Sequence, residues 1–237
     1  MRPEYVFGAA AAAANVLGAV AVTSRRARWS VRALESMPAI AEGFMMAVAT
    51  IEILPEAILR GGRDAAVVGL VGYVLVYLTQ HALTRHFHFG EETHHVTTAV
   101  STSALIGLML HTVVDGVAIA SGFGVNDSVG TLVFVAVLLH KFPEGLAISS
   151  LFLAAGASRG RALLAAAALG AATIIGVVAT DGVPAIGHYG LALSAGVTLY
   201  VAASNLVPEF QSKRDWRLPL SFFVGCALFF AARSLAR

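Results

Sequence analysis

Long apolar runs dominate the chain, and short charged or Gly/Pro-rich breaks separate them. The runs fall at 4–23, 34–59, 65–84, 97–122, 128–154, 161–181, 190–210 and 217–235. Each matches or exceeds the ~20 residues that a helix needs to cross a bilayer. The pattern therefore predicts an all-α, polytopic membrane protein with eight transmembrane helices. No break reads as a domain linker, so 1–237 is expected to form a single transmembrane domain. The longest break runs from Arg85 to Val96 and reads RHFHFGEETHHV. Alanine tracts such as Ala9–Ala14 and Ala165–Ala168 supply small residues that let helices approach closely in lipid. The first run is Ala-rich and follows Met1-Arg2, in the manner of a secretory signal. Arg25, Arg26, Arg28 and Arg32 follow it at once and resist translocation, which favours an uncleaved first helix with its N-terminus outside.

Composition sharpens this picture. Hydrophobic residues make up 57% of the chain and charged residues 13%, against about a quarter charged in an ordinary soluble domain. Eight spans leave no room for a cytosolic catalytic domain. The single cysteine, Cys226, sits inside an apolar run, which excludes a disulfide framework or a thiolate cluster within one chain. The formal charge of +2 comes from basic residues gathered at span ends, a matter of topology rather than of nucleic-acid binding.

Alternating the spans puts Arg25, Arg26, Arg28, Arg32, Arg85, Arg159, Arg161, Lys213, Arg214 and Arg217 on one side. Arg2, Arg60, Arg63, Arg233 and Arg237 fall on the other. The positive-inside bias then makes both termini extracytoplasmic. The remaining basic residue is Lys141, near the middle of the fifth span, where a charge demands a reason. The Ala, Gly and Arg usage and the short loops fit a bacterial inner membrane.

Two internal echoes point to a site. His111-Thr-Val-Val-Asp115-Gly116 in span four and His140-Lys-Phe-Pro-Glu144-Gly145 in span five share H-x-x-x-[D/E]-G, 29 residues apart, on oppositely directed helices. Glu52-Ile-Leu-Pro55-Glu56 in span two and Asn205-Leu-Val-Pro208-Glu209 in span seven form a second inverted pair. Inverted repeats of this kind frame the midplane sites of secondary transporters.

Residues four apart on a helix share a face, so His111 projects with Asp115 and His140 with Glu144. Two nitrogen and two oxygen donors suit zinc and tolerate iron, manganese or cobalt. An ionisable group at the bilayer centre costs about 2.5–3.5 kcal/mol even on the lenient insertion scale, and Asp115, Lys141 and Glu144 all lie there. Pro143 cannot donate to the Leu139 carbonyl, so a kink with a free acceptor is expected beside the site. The competing structural reading is an internal ion pair of Lys141 with Glu144 or Asp115, with the histidines bonded across the bundle.

At these residues the chain resembles the ZIP family of divalent metal transporters, whose fourth helix carries H-N-x-x-D/E-G and whose fifth carries H-E-x-P-E/H-G. HTVVDGVAIASGF and HKFPEGLAISSLF follow the family's run beyond the histidine and carboxylate positions. ILPEA in span two and LYVAASNLVPE in span seven are also similar to its signatures. The resemblance implies a 3+2+3 inverted-repeat architecture, transport of a divalent metal toward the cytosol, and a metal site at His111, Asp115, His140 and Glu144. It further implies elevator-like movement of helices 1, 4, 5 and 6 against 2, 3, 7 and 8, and a homodimer.

The departures from the family are specific. Many members hold a second metal with the residue after each motif histidine and a glutamate in helix six. Here those positions read Thr112, Lys141 and Thr173, which cannot hold a second dication, so a single transported ion is expected. Zn2+ is the favoured substrate, with Cd2+, Fe2+, Mn2+ and Co2+ left open because a mixed N/O site discriminates weakly. No resident cofactor is expected.

Around the site, Glu52, Asn205 and Glu209 are candidate pathway residues, with structural roles at span ends as the alternative. His86, His88, His94 and His95 in the loop after span three are candidates for weak cytosolic metal binding. Two other classes could use the same donors: an intramembrane metal sensor, or a metal-dependent intramembrane hydrolase that activates water. The hydrolase lacks H-E-x-x-H and any separate general base, so an enzyme is not expected.

Overall fold

The structure, a computed structural model, describes residues 2–24, 31–80, 97–204 and 216–235. Every regular element among them is helical: α1 (Pro3–Thr23), α2 (Val31–Val48), a π turn (Ala49–Ile53), α3 (Leu54–Leu78), α4 (Thr98–Phe123), α5 (Asp127–Ala154), α6 (Arg159–Gly182), α7 (Pro184–Ser204) and α8 (Arg217–Leu235). Among the described residues, seven helical stretches are long and apolar enough to cross a membrane, one of them the 43-residue run Ser36–Leu78. Large apolar side chains such as Leu59, Leu70, Leu164 and Phe223 lie on the outside, where lipid would cover them.

Local chemistry sets the helix starts. Thr97, Asn126 and Ser158 accept hydrogen bonds from the N–H groups of Val100, Val129 and Arg161 at 3.3, 2.9 and 3.4 Å, which satisfies first-turn donors of α4, α5 and α6. The π turn has a covalent cause. Pro55 has no N–H for the Ile51 carbonyl, so the α ladder cannot close there, and Leu54 N–H instead reaches back to Ala49.

The run through α2 and α3 is not straight. Gly62 has φ 58° and ψ −140°, a conformation that essentially only glycine adopts without strain. A Cβ placed on Gly69 would lie 4.0 Å from Leu54 Cδ1, whereas an unbroken helix would separate those residues by about 22 Å. The chain thus doubles back at Gly62, within the break expected between spans two and three.

Two groups of helices result. α1, α4, α5 and α6 pack on one another; α2 packs on α8 and α3 on α7, and these two pairs, joined through the π turn and the α2–α7 contact, make up the second group, each pair also touching the first. Inside each group, backbones cross at paired glycines: Gly18 with Gly145 for α1 and α5, Gly116 with Gly176 for α4 and α6, Gly43 with Gly225 for α2 and α8, and Gly69 with Gly196 for α3 and α7. At each of these a side chain would strike main-chain atoms of the facing helix, the small-residue packing that lipid-embedded helices favour. Contact between the groups is instead largely through side chains. Phe44, Met45, Val48, Ile53 and Val197 on one face Leu132, Val133 and Val137 on the other within one apolar cluster.

One sequence expectation shifts. The break read over 182–189 shrinks to Val183 alone (φ −123°, ψ 106°), because Pro184, with its φ already helical, opens α7 directly. α5 runs from Asp127 to Ala154 and carries Pro143 inside it.

Candidate metal centre

α4 and α5 are antiparallel and joined by a turn of three residues, Gly124–Asn126. His111 and His140 stand almost equally far from that turn, about 14 residues or ~21 Å along each helix. Antiparallel pairing therefore sets the two imidazoles side by side, with ring centroids 5.5 Å apart. Asp115 lies one turn nearer the loop than His111, and Glu144 one turn farther from it than His140. The two carboxylates consequently start from opposite sides of the histidine pair along the axis, and their side chains come together on Lys141.

Three of the four expected ligands converge. His111 Nε2 and His140 Nε2 lie 3.3 and 3.2 Å from the same oxygen, Asp115 Oδ2, and His111, Asp115 and His140 can present their donors within 4.8 Å of one another. The group is buried: His111 is 4% exposed and Asp115 2%. His140 Nδ1 lies 3.0 Å from the Ala136 carbonyl. Its Nε2 is also within hydrogen-bond distance of Asp115 Oδ2. A neutral imidazole has one N–H and can donate to Ala136 or to Asp115, not to both, and donation to Ala136 is the tautomer that would free Nε2 for a metal. His111 Nδ1 is buried and has no hydrogen-bond partner among the described residues.

Glu144 is engaged elsewhere. Its Oε1 accepts from the Thr112 hydroxyl at 2.8 Å and its Oε2 from Lys141 at 2.6 Å. Lys141 is fully buried and bridges the carboxylates, with Nζ 2.6 Å from Asp115 Oδ2 and 3.1 Å from Thr112 Oγ1. The internal ion pair weighed from the sequence is thus present, to both carboxylates at once. It coexists with the histidine convergence and does not replace it.

Beside the cluster lies a void of about 10 Å³, room for one water-sized body. Asp115, His140, Ala136 and Val137 line it from the first helix group, Met45, Ile53 and Thr198 from the second. The donor cluster therefore sits where the two groups face each other.

A sequence model of the ZIP zinc transporter family matches residues 90–233, more than half of the chain. The chain belongs to the ZIP zinc transporter family. No curated protein matches it in a sequence comparison. ZIP membership implies divalent metal transport, and ZIP proteins are transporters, not enzymes. The matched region holds both H-x-x-x-[D/E]-G motifs and the whole of α4 to α7 and most of α8.

The other candidate residues of this ZIP chain fall unevenly. Thr173 is buried on α6 and donates to Leu169 O of its own helix at 3.4 Å, while its carbonyl abuts Gly116. Glu52 lies in the π turn and forms an ion pair with Arg233 of α8, a contact that sequence spacing could not disclose. Asn205, Glu209, His86, His88, His94 and His95 lie outside the described residues. Sequence reading passed over Asn15. It is fully buried on α1, its amide has no hydrogen-bond partner, and its backbone packs on Gly145. The signal was available: one amide among the alanines of the first span.

Proposed function

We propose that this ZIP protein imports a divalent metal ion, Zn2+ foremost, through a single midplane seat built on α4 and α5. The observation that carries the reading is the convergence of His111, Asp115 and His140 on one buried oxygen inside a membrane-type bundle. Glu144 is the fourth ligand, reached once it leaves Thr112 or Lys141. Cd2+, Fe2+, Mn2+ and Co2+ are the alternative substrates. Thr112, Lys141 and Thr173 limit the seat to one ion.

The chain makes eight crossings as one domain with both termini outside. Support comes from Arg2 Nη1, 2.6 Å from Asp181 Oδ2: the start of α1 and the end of α6 share a face, which requires the reversal at Gly62 in the count of crossings. Transport is an elevator movement of α1, α4, α5 and α6 against the second helix group. The glycine-locked crossings within each group and the side-chain contact between them support it. A homodimer in a bacterial inner membrane, with the histidines of 86–95 receiving metal on the cytosolic side and Glu209 on the exit path, completes the reading.

The test is zinc uptake into proteoliposomes by the wild type and the His140→Ala and Glu144→Ala variants, with a count of bound metal. Uptake lost in both variants, with about one ion per wild-type chain, supports a single-site importer. A wild type that binds metal but moves none would overturn it in favour of an intramembrane sensor or hydrolase.

A further inference from the structure

Lys141 has no place in a plain dication seat, yet it makes three polar contacts there. It is fully buried, reaches Asp115 and Glu144 at 2.6 Å each, and is held by Thr112 at 3.1 Å. The Asp115 oxygen that it holds is the same Oδ2 on which both histidines converge. An ammonium and a metal ion cannot both occupy the near side of one carboxylate oxygen.

We infer that Lys141 is a tethered stand-in for the transported ion: its ammonium holds Asp115 Oδ2 while the carrier is empty, yields that oxygen to the arriving metal, and returns when the metal leaves. The inference rests on the single-seat importer proposed above. Thr112 and Glu144 give the displaced ammonium two partners to keep, so it withdraws without being stranded.

Charge counting shows what the device does. With neutral histidines, Asp115, Glu144 and Lys141 sum to −1 when empty and to +1 with a dication bound. Without the lysine the same states would be −2 and 0. The cost of carrying net charge through a low-dielectric layer grows with the square of the charge, and it amounts to several kcal/mol for each buried ion. A carrier lacking Lys141 would cross easily when loaded and poorly when empty. Lys141 evens the two crossings, and net import needs both because the empty seat must return.

Zinc–zinc exchange needs only the loaded crossing, so the two modes separate. The experiment compares net 65Zn uptake with 65Zn/Zn exchange in proteoliposomes holding wild type, Lys141→Met, Lys141→Gln or Lys141→Arg. The glutamine variant keeps a donor for Glu144 and serves where methionine fails to fold. The expected result is an exchange-to-net ratio at least about tenfold above wild type in the neutral variants, and within about threefold of it in the arginine variant. In detergent, the neutral variants should also bind Zn2+ at least about tenfold more tightly, the worth of one charged hydrogen bond no longer competing for Asp115. An unchanged ratio in a monodisperse neutral variant, or equal change in the arginine variant, overturns the inference and leaves the importer standing. A wild type that neither exchanges nor accumulates zinc removes the importer reading and this inference with it.

Discussion

Replacing Asp115 by asparagine keeps the side chain's shape and removes the charge on which the cluster converges. Asp115 Oδ2 lies 2.6 Å from Lys141 Nζ and 3.2 and 3.3 Å from the two imidazoles. Lys141 keeps Glu144 at 2.6 Å and Thr112 at 3.1 Å, so the variant loses one charged hydrogen bond and does not strand the ammonium. The cost is therefore about 1.5–3 kcal/mol, short of the roughly 3–5 kcal/mol of a buried pair broken outright. At ~2–4 °C per kcal/mol for a chain of this size, metal-free Asp115→Asn should melt about 3–12 °C below wild type. Zinc supplies a second, separate reading. At a hundred times its Kd it should stabilise the wild type by about 2.7 kcal/mol, or ~5–11 °C. The variant, lacking the carboxylate at the centre of the seat, should show almost none of that shift at the same zinc concentration. Scanning fluorimetry of detergent-purified protein with and without zinc reads both quantities. A zinc shift in Asp115→Asn equal to that of wild type would refute the reasoning, since the ion would then not rest on Asp115.

Glu144→Gln leaves the three convergent donors intact, so zinc affinity should fall about 10–100-fold, and less than in His111→Ala; competition with a zinc-binding dye measures both, and the reverse order would make Glu144 the stronger ligand. Gly176→Val drives a side chain into the Val113 carbonyl and should cost at least about 1–3 kcal/mol, seen as a lower melting temperature. Gly182→Ala, which meets nothing within 4 Å, should melt as wild type does. Gly62→Ala should lose about 1–3 kcal/mol through backbone strain alone, because no atom obstructs the added methyl; an unchanged melting temperature would show that the reversal does not depend on glycine.

What could be read from the sequence was what helical geometry decides locally. His111 with Asp115 and His140 with Glu144 are one-turn pairs, and their common depth follows from near-symmetric placement about the Gly124–Asn126 turn. The same arithmetic already separates Asp115 from Glu144, because inverting a motif inverts the order of its two ligands along the axis. Lys141 was conspicuous as a mid-span charge, but its reach to both carboxylates at once depends on side-chain length and on Thr112 across the helix pair. The Glu52–Arg233 pair joins residues far apart in sequence, so no local pattern encodes it. The break before α7 is shorter than the run of Asp181, Gly182 and Pro184 suggests, because Pro184 at a first helical position begins a helix.

The π turn at Ala49–Ile53 amounts to one residue more than an α-helix would use over the same path. Such a turn is a reservoir of length. Absorbing it into regular α-helix would push the segment beyond it onward along the axis by about 1.5 Å and rotate it by about 100°. Ile53 would then swing out of the void beside Asp115 and His140, and Glu52 would let go of Arg233. Deleting a single residue between Ala49 and Ile53 should therefore leave a continuous α-helix whose flanking residues keep their places. The wall opposite the proposed metal seat holds its register only while the surplus residue stays stored in the π turn.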